Sequence, residues 1–401
     1  MDKFAVHSKL ASVFSPSAPI DQQTLFSGRM SQLLDVMNAV SQKGQHAILF
    51  GERGVGKTSL ARVISAAVRS SGAQYVASIN CDPQMTFTTL WQKIFREIPV
   101  THGKAPVGFT GEPSFTVDSL ANHLPAVVTP DDIRYLLARM PGILVVIDEL
   151  DRLEDHSVTA LLADTIKTLS DHAVPTTVLL VGVADSVDAL IQEHQSVERA
   201  LVQIRMPRMS PAELYEIIDK GLGQAGMTIT PEARDKIAIL SQGLPHYTHL
   251  LALYAAQRVV LTGRTEITAQ DVRTAIDGAL AKAQQSIISS YHKATTSPQD
   301  NLYPQVLLAC ALAKADGLGS FAASDVRGPL SHIMQKTYDI PAFAQHLNKF
   351  CEEIRGPVLL RTGSARRYRF RFVNPLLQPY VLMDGIKKSL IKEAEITDLA
   401  K

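Results

Sequence analysis

The sequence predicts an α/β fold built on a P-loop parallel sheet, followed by a helical lid and a winged-helix-like domain. Three observations predict it. Residues 26–80 alternate between helical and strand patterns, which is typical of a parallel sheet. Two later segments, "GILVVIDEL" and "TTVLLVGVA", are almost purely apolar, as expected for strands buried on both faces. After residue 208 the pattern is helical, and the chain then shows three helices and a two-strand hairpin.

Composition and charge set broad limits on function. With 401 residues, 46% of them hydrophobic, the chain is expected to form two or three packed domains. Its 40 Lys and Arg residues nearly balance its 39 Asp and Glu residues, so any basic surface must be local. The three cysteines, Cys81, Cys310 and Cys351, lack CxxC spacing, which favours buried thiols in a reducing compartment.

No targeting or membrane segment is expected. The first residues, "MDKFAVHSKLASVF", lack an apolar run of signal-peptide length. No stretch approaches the ~18 uninterrupted apolar residues that a membrane helix requires. We therefore expect a cytoplasmic, soluble protein without a membrane partner.

Stretches rich in Ser, Thr and Pro suggest how the chain divides. We expect an N-terminal arm over 1–25, a P-loop core over 26–208, a helical lid over 209–283 and a winged-helix-like domain over 300–390. The lid helices open with capping patterns such as Ser210–Pro211 and Thr268 to Asp271. The Gly-, Pro- and Thr-rich segment 99–129 is expected to form loops or an insertion.

The stretch "GERGVGKTSL" follows the apolar segment "HAILF" and opens an amphipathic helix, which is the context of a phosphate-binding loop. In the pattern G-x-x-x-x-G-K-[ST], backbone N–H groups surround phosphate oxygens, the lysine reaches the β- and γ-phosphates, and the hydroxyl binds magnesium. The expected cofactors are ATP and Mg²⁺. The expected nucleotide-binding residues here are Gly51, Glu52, Arg53, Gly54, Val55, Gly56, Lys57, Thr58 and Ser59. The alternative is a glycine turn before an ordinary helix.

The segment "ILVVIDEL" supplies the second half of such a site. Asp148 is expected to hold Mg²⁺ through its water shell, together with Thr58. Glu149 is expected to orient and activate the attacking water. The alternative is that both acids cap the next helix. Asp151 and Asp155 are expected to be solvated acids at a helix start.

Several segments together resemble AAA+ ATPases over about residues 25–283: "FSGRMSQL", "GERGVGKTS", "VVIDELDRL", "VGVADSVDAL" and the helical lid. The resemblance is strongest to the branch containing the archaeal and eukaryotic replication initiators and the transposon-encoded target-selection ATPases. The winged-helix-like tail strengthens the comparison with initiators. The resemblance implies a homo-oligomeric ring or spiral that hydrolyses ATP at subunit interfaces.

The resemblance also implies roles outside the two motifs. Arg199, in "SVERALVQI", takes the place of the arginine finger that completes the neighbouring subunit's site. The alternative is an exposed arginine paired with Glu198 or Glu193. The γ-phosphate-sensing position at the end of the fourth strand falls at Asp185, which joins the nucleotide-binding set, with Ser186 as the alternative.

Two positions relate to the lid and to the base. The lid arginine that contacts nucleotide in initiators falls near His246, for which a surface histidine without that role is the alternative. Arg29 and Gln32, before the first strand, lie where the family contacts the adenine side.

The segment "RGPVLLRTGSARRYRFR" holds six arginines and no acid. On a hairpin, alternate residues share a face, so the arginines would lie on the face opposite to Tyr368, Phe370 and Phe372. The arginine face could then contact the phosphates of duplex DNA. The expected DNA-binding residues are Arg361, Arg366, Arg367, Arg369 and Arg371. The preceding helix offers a polar set for a DNA groove, namely Gln345, His346, Asn348 and Lys349. The alternatives are a winged helix that packs only on proteins and a charged edge that prevents aggregation.

Two functions follow from these expectations. The first is a DNA-associated ATPase with an initiator-like, mobile-element or defence role, whose subunits assemble with ATP and separate after hydrolysis. The second is a nucleotide-switched signalling module whose winged helix binds a partner protein. A small-molecule kinase is disfavoured because the lid and tail show no signature of an acceptor pocket.

Overall fold

The structure is a computed structural model that describes residues 3–16, 28–72, 75–104, 114–183, 195–297, 301–364 and 367–399. The strands of the first domain are β1 (His46–Phe50), β2 (Tyr75–Asn80), β3 (Pro99–Lys104), β4 (Ser114–Ser119), β5 (Ile143–Asp148), β6 (Thr176–Gly182) and β7 (Leu201–Arg205). Five of them form a parallel sheet in the order β2-β5-β6-β1-β7. The predicted parallel sheet is therefore confirmed.

Helices cover both faces of this sheet. The first helices of the chain are α1 (Lys3–Val13), α2 (Met30–Ser41), α3 (Lys57–Ser71), α4 (Phe87–Arg96), α5 (Pro130–Leu137) and α6 (His156–Asp171). In β5, Leu144 and Val146 pack in one hydrophobic layer with α2 and α3. Val145 and Ile147 pack in the opposite layer with α4, α5 and α6. All of β5 is buried because both of its faces are covered.

The segment expected to form loops or an insertion contains a two-stranded hairpin outside the main sheet. β3 pairs antiparallel with β4, from Pro99 opposite Ser119 to Lys104 opposite Ser114. It lies between the sheet strands β2 and β5 along the chain.

The N-terminal segment differs from the expected arm. Residues 3–13 form α1, and Leu10, Val13 and Phe14 are buried in the hydrophobic core of the helical lid. Phe14 fits against Gly221, where a Cβ atom would lie 2.4 Å from the ring. The apolar residues at helical spacing explain why this segment packs as a helix. Residues 17–25 of the expected arm lie outside the described residues.

The lid consists of four helices and a short parallel strand pair. Its helices are α7 (Pro211–Gln224), α8 (Pro231–Ser241), α9 (Pro245–Leu261) and α10 (Ala269–Ala281), and its strands are β8 (Thr228–Ile229) and β9 (Glu266–Ile267). Ser210 caps α7 and forms a capping box with Glu213. Thr268 and Asp271 form the predicted capping box of α10. These caps satisfy backbone N–H groups that the helix starts leave free.

The C-terminal part has the order of elements of a winged helix. It contains α11 (Gln285–Thr295), α12 (Tyr303–Leu312), β10 (Phe321–Ala322), α13 (Ala323–Ile333), α14 (Ile340–Lys349), β11 (Leu359–Thr362), β12 (Arg369–Phe372), α15 (Leu377–Lys387) and α16 (Glu393–Leu399). β10, β12 and β11 form an antiparallel sheet. Because Thr362 pairs with Arg369, the hairpin connection is longer than the predicted turn at Thr362 to Ser364. None of the described helices is both long enough and apolar enough to cross a membrane.

Candidate nucleotide site

The loop between β1 and α3 lies at the carboxyl edge of the parallel sheet. Gly54 and Gly56 adopt left-handed backbone conformations with φ of 84° and 98°. Glycine reaches these conformations without the strain that a side chain would add. They curl the loop so that α3 begins at Lys57. The loop therefore presents its backbone and a helix N-terminus to the same space, which suits an anion.

The side chain of Lys57 lies inside this loop. Its Nζ donates to the carbonyl oxygens of Gly51 and Glu52, at 2.9 and 2.7 Å. Burial lowers the pKa of Lys57 to about 8, and the charges of Asp151 and Asp148 oppose that shift. The ammonium group is thus held where phosphates would approach, with carboxylates close enough to favour its charged form.

Asp148 and Thr58 meet at the end of β5. Asp148 is buried, accepts a hydrogen bond from the Thr58 hydroxyl, and accepts another from the Glu149 N–H at 2.7 Å. Burial raises the pKa of Asp148, and these two hydrogen bonds oppose the rise. A hydroxyl and one carboxylate are hard oxygen donors of the kind that fit Mg²⁺, which also binds water and substrate phosphates. Within the described ranges, no three His, Cys, Asp or Glu side chains cluster as a metal site.

Glu149 lies beside this pair in a left-handed conformation with φ of 58°. Its Oε2 accepts a hydrogen bond from Arg152 Nη1 at 2.9 Å, and both side chains are nearly half exposed. Glu149 thus lines the cleft, and Arg152 contacts its carboxylate. A non-glycine residue with positive φ is uncommon and is concentrated at functional sites.

Asp151 differs from its expected role as a solvated acid. Its side chain is only 16% exposed and pairs with Arg53 Nη2 at 2.6 Å. The pair joins the phosphate-binding loop to the segment that follows β5. Asp155 does act at a helix start, where it accepts a hydrogen bond from the Ser157 N–H at 2.9 Å.

A cleft of about 620 Å³ extends from this loop toward the lid. Its volume is within the ordinary range for small-molecule sites. Every major part of the chain contributes to its walls. They are lined by Ser15, Pro16, Arg53, Gly54, Gly56, Lys57, Thr58, Ser59, Asp148, Glu149, Asp151, Arg152, Val181, Gly182, Pro245, His246, His249 and Leu376.

Residues 27–181 match the family model described as "AAA ATPase domain". This part of the chain is therefore similar to AAA ATPase domains. The match includes the phosphate-binding loop, Asp148 and Glu149, and it ends within β6, so the lid and the C-terminal part lie outside it. The sheet, the lid and the winged-helix-like part agree with the predicted fold class.

A solved structure with a TM-score above 0.5 resembles most of this chain in fold. The Walker-type ATPase of Pyrococcus abyssi is 14% identical with a TM-score of 0.51, covering 92% of this chain and 99% of that chain. Cdc6p of Pyrobaculum aerophilum is 15% identical with a TM-score of 0.48, covering 95% and 99%. The ORC2 protein of Aeropyrum pernix is 15% identical with a TM-score of 0.48, covering 97% of each chain. No curated protein matches the chain.

A polar network joins the first domain to the lid and the C-terminal part. Glu52 accepts a hydrogen bond from Arg208 Nε at 2.9 Å, and its Oε2 lies 2.8 Å from Arg208 Nη2 in an ion pair. Arg208 Nη1 donates to Gln378 Oε1 at 2.7 Å and to the carbonyl of Gln242 at 3.2 Å. The side chain of Glu52 therefore faces the domain junction, although this residue lies in the predicted nucleotide-binding set. No motif in the sequence indicates this network, because its members come from distant segments.

Arg29 and Gln32 do not line the cleft, contrary to the expectation that they contact the adenine side. Arg29 is buried, donates to the carbonyls of Pro207 and Val55, and lies 3.9 Å from Glu213. It links the phosphate-binding loop to the lid. Gln32 is partly buried and accepts a hydrogen bond from its neighbour Ser31.

The residues predicted to sense or complete the nucleotide site fall in different places. Asp185 and Ser186 lie outside the described residues. Arg199 is exposed at the end of a short helical segment before β7 and does not line the cleft. Among the residues that the structure covers, no carboxylate forms an ion pair with Arg199. Its place on the surface is compatible with a role in a neighbouring subunit.

The predicted DNA-binding arginines separate into two groups. Arg361 and Arg367 are exposed. Arg361 Nη1 donates to Asn348 Oδ1 at 2.9 Å, and its guanidinium lies over the Tyr368 ring. Arg366 lies outside the described residues.

The second group, Arg369 and Arg371, is partly exposed and lies against other parts of the protein. Arg369 donates to Asp316 Oδ2 at 2.9 Å and to the carbonyl of Ser320 at 2.7 Å. Arg371 is half-buried and lines a smaller cleft beside the phosphate-binding loop. His346, predicted to enter a DNA groove, is buried against Tyr303 with 4.8 Å between ring centroids. The alternation of arginines and aromatic residues along β12 is confirmed, but its arginine side is not one free surface.

Proposed function

We propose that this protein binds and hydrolyses ATP with Mg²⁺ and assembles through nucleotide into a homo-oligomer that acts on DNA or on DNA-bound partners. One observation carries the proposal. Lys57, Thr58 and Asp148 converge at the phosphate-binding loop of an AAA ATPase domain, within a cleft large enough for a nucleotide.

Each residue has a role that follows from its chemistry. The loop N–H groups and Lys57 bind the β- and γ-phosphates, while Thr58 and Asp148 hold Mg²⁺. Bound Mg²⁺ would neutralise charge on the phosphate oxygens. Glu149 accepts a proton from the attacking water. The oxygen of that water bonds to the γ-phosphorus while the bond between the γ-phosphorus and the ADP oxygen breaks. Arg199 of one subunit would stabilise charge on the transferring group in the neighbouring site.

Replacing Lys57 with alanine is expected to weaken ATP and ADP binding about 10- to 100-fold, because charge-assisted hydrogen bonds to phosphate are lost. The matched control is Lys43→Ala, which removes an exposed lysine from the same domain. Calorimetric titration with Mg²⁺ present gives both dissociation constants. Equal affinity in the two variants would contradict the placement of the phosphates.

The surface around the exposed hairpin supports the DNA part of the proposal. Arg361 and Arg367 are exposed there, and Asn348 and Lys349 are exposed at the end of α14. Arg361 contacts Asn348, so the hairpin and the helix form one polar surface. Such a helix and hairpin arrangement suits a duplex groove and its phosphates.

A double variant tests this surface. Arg361→Ala with Arg367→Ala is expected to weaken binding to duplex DNA about tenfold. The plot of log affinity against log salt concentration is expected to become shallower, by the amount that about two lost phosphate contacts would cause. Arg62→Ala with Arg69→Ala is the matched control, since it removes two exposed arginines from α3. Fluorescence anisotropy at several salt concentrations measures both effects.

The alternative function is a nucleotide-switched module whose winged helix binds a protein. The observation that favours it is the position of Arg369 and Arg371, which are engaged within the protein. Under this alternative, the double variant and its control bind DNA equally weakly at every salt concentration. That result would replace the DNA proposal with the protein-binding one.

A further inference from the structure

A turn between α12 and β10 of the C-terminal part lies directly against the phosphate-binding loop. We call residues 316–320 the docking turn. A Cβ atom at Gly319 would lie 2.6 Å from Glu52 Cδ and closer still to its Oε1. A Cβ atom at Gly317 would lie 3.0 Å from Arg205 Cζ, at the end of β7. Side chains at these two positions would collide, so glycine is what lets the turn approach the loop and the sheet this closely.

The docking turn has a fixed shape of its own. Asp316 Oδ1 accepts hydrogen bonds from the N–H groups of Leu318 and Ser320, at 2.9 and 3.0 Å. Arg369 on β12 donates to Asp316 Oδ2 and to the carbonyl of Ser320. These bonds tie the turn to the hairpin and do not involve the phosphate-binding loop. The turn therefore moves together with the hairpin.

A second contact lies further along the phosphate-binding loop. Leu376, just before α15, packs on Gly54, with its Cδ2 3.2 Å from where a Cβ atom there would lie. The hydroxyl of Tyr247 on α9 donates to the carbonyl of Leu376 at 2.9 Å and holds it in place. The C-terminal part thus contacts the loop at both Glu52 and Gly54. A glycine-rich loop is costly to order, so contacts that order it before a ligand arrives increase affinity.

The contact at Glu52 is only partly satisfied. Arg208 pairs with Glu52 Oε2 at 2.8 Å and donates to Gln378 Oε1 on α15 at 2.7 Å. The other carboxylate oxygen, Oε1, is buried at the docking turn and has no hydrogen-bond partner among the described residues. A buried oxygen without a partner carries a desolvation cost, which is relieved when the turn moves away. The contact is therefore suited to reversible release.

We propose that the docking turn and Leu376 form a clamp that orders the phosphate-binding loop, so that displacement of the C-terminal part lowers nucleotide affinity. This inference rests on the proposed nucleotide binding at Lys57. A partner that draws the C-terminal part away promotes nucleotide release. Bound nucleotide favours the docked arrangement by the same factor, because coupling between two binding events is reciprocal.

Gly319→Ala tests the clamp. The added methyl group must push the Glu52 carboxylate away from Arg208 or push the turn away from the loop, and either movement breaks the contact. Gly263→Ala is the matched control. Gly263 has nearly the same φ, 77° against 74°, but apart from its chain neighbours no described atom lies within 4 Å of the added methyl group. Gln378→Ala is a second variant, which removes the bond between Arg208 and α15 and leaves the loop and the turn unaltered.

Calorimetric titration of the full chain with Mg²⁺ measures the binding of ATP, ADP and inorganic tripolyphosphate, and thermal unfolding shows that each variant is folded. We expect Gly319→Ala to weaken all three ligands about five- to tenfold and by the same factor, because the clamp acts on the loop that holds phosphates. Gln378→Ala is expected to act in the same direction by a smaller factor. Gly263→Ala is expected to bind like the wild type.

A double variant shows whether the effect passes through Glu52. In a Glu52→Ala background, Gly319→Ala is expected to have little further effect, since the carboxylate with which the methyl group collides is absent. An undiminished further loss in that background would overturn the inference. So would unchanged or tighter binding by folded Gly319→Ala, or a loss that spares tripolyphosphate.

If Gly319→Ala does not fold, Gln378→Ala decides by the same binding criteria. Absence of ATP and tripolyphosphate binding in the wild type would instead overturn the proposed function itself.

Discussion

Glu149→Gln is expected to lower the rate of ATP hydrolysis about 100-fold or more and to leave ATP affinity unchanged. General base catalysis by a positioned carboxylate contributes about 10²- to 10⁴-fold, and glutamine keeps the shape but cannot take up the proton. Glu149 faces the cleft beside Asp148 and Thr58, and its bond to Arg152 is half exposed, so a bound water could displace the arginine.

Single-turnover phosphate release, measured with ATP binding on the same samples, separates catalysis from affinity. The matched control is Asp155→Asn, which makes the same acid-to-amide change at the exposed start of α6. Equal rates in the two variants would show that Glu149 does not activate the water. A loss of ATP affinity that accounts for the whole effect would also contradict the assigned role.

Arg199→Ala is expected to lower hydrolysis about 10³-fold without weakening ATP binding in a single subunit. An arginine supplied from a neighbouring subunit contributes about 10³- to 10⁵-fold in related phosphoryl-transfer reactions. Arg199 is exposed and does not line the cleft of its own chain, so its effect depends on a second subunit.

Mixing the two inactive variants tests the shared site directly. In a mixed assembly, a subunit with Arg199→Ala keeps its own Glu149 and can receive Arg199 from a neighbour with Glu149→Gln. We expect the mixture to recover a measurable fraction of wild-type phosphate release. A mixture as inactive as its components, in samples shown by light scattering to form mixed assemblies, would exclude Arg199 as the shared residue.

The parallel sheet and the phosphate-binding half of the site could be predicted because local patterns determine them. Continuous apolar runs predict strands covered on both faces, and β5 is buried throughout. The spacing of Gly51, Gly56 and Lys57 encodes a loop whose geometry is local. The position of Asp148 near this loop could also be predicted. Parallel strands bring their carboxyl ends to one edge of the sheet, and Asp148 ends β5.

The rest of the cleft depends on contacts between distant segments. Pro16 meets His246 across 230 positions of the chain, and Glu52 meets Arg208 across 156 positions. No local periodicity encodes such pairs. Few residues near Phe14 are charged, which is consistent with burial of the N-terminal segment. The place where it packs depends on Gly221, whose missing side chain leaves room for the Phe14 ring.

The winged-helix-like part illustrates the same limit. Period-two alternation correctly separates Arg369 and Arg371 from Phe370 and Phe372. Alternation does not specify what lies opposite each face. Asp316 and the phosphate-binding loop occupy that side, so the exposed basic surface is smaller than the sequence suggests.

The most direct test of the account is steady-state phosphate release from ATP by the wild-type chain and by Lys57→Ala, with and without Mg²⁺, over a range of protein concentrations. The account predicts Mg²⁺-dependent release whose rate per subunit rises with protein concentration, as for a site shared between subunits, and a loss of that release in Lys57→Ala. Absence of release from the wild type at every concentration, or equal release from both proteins, would contradict it.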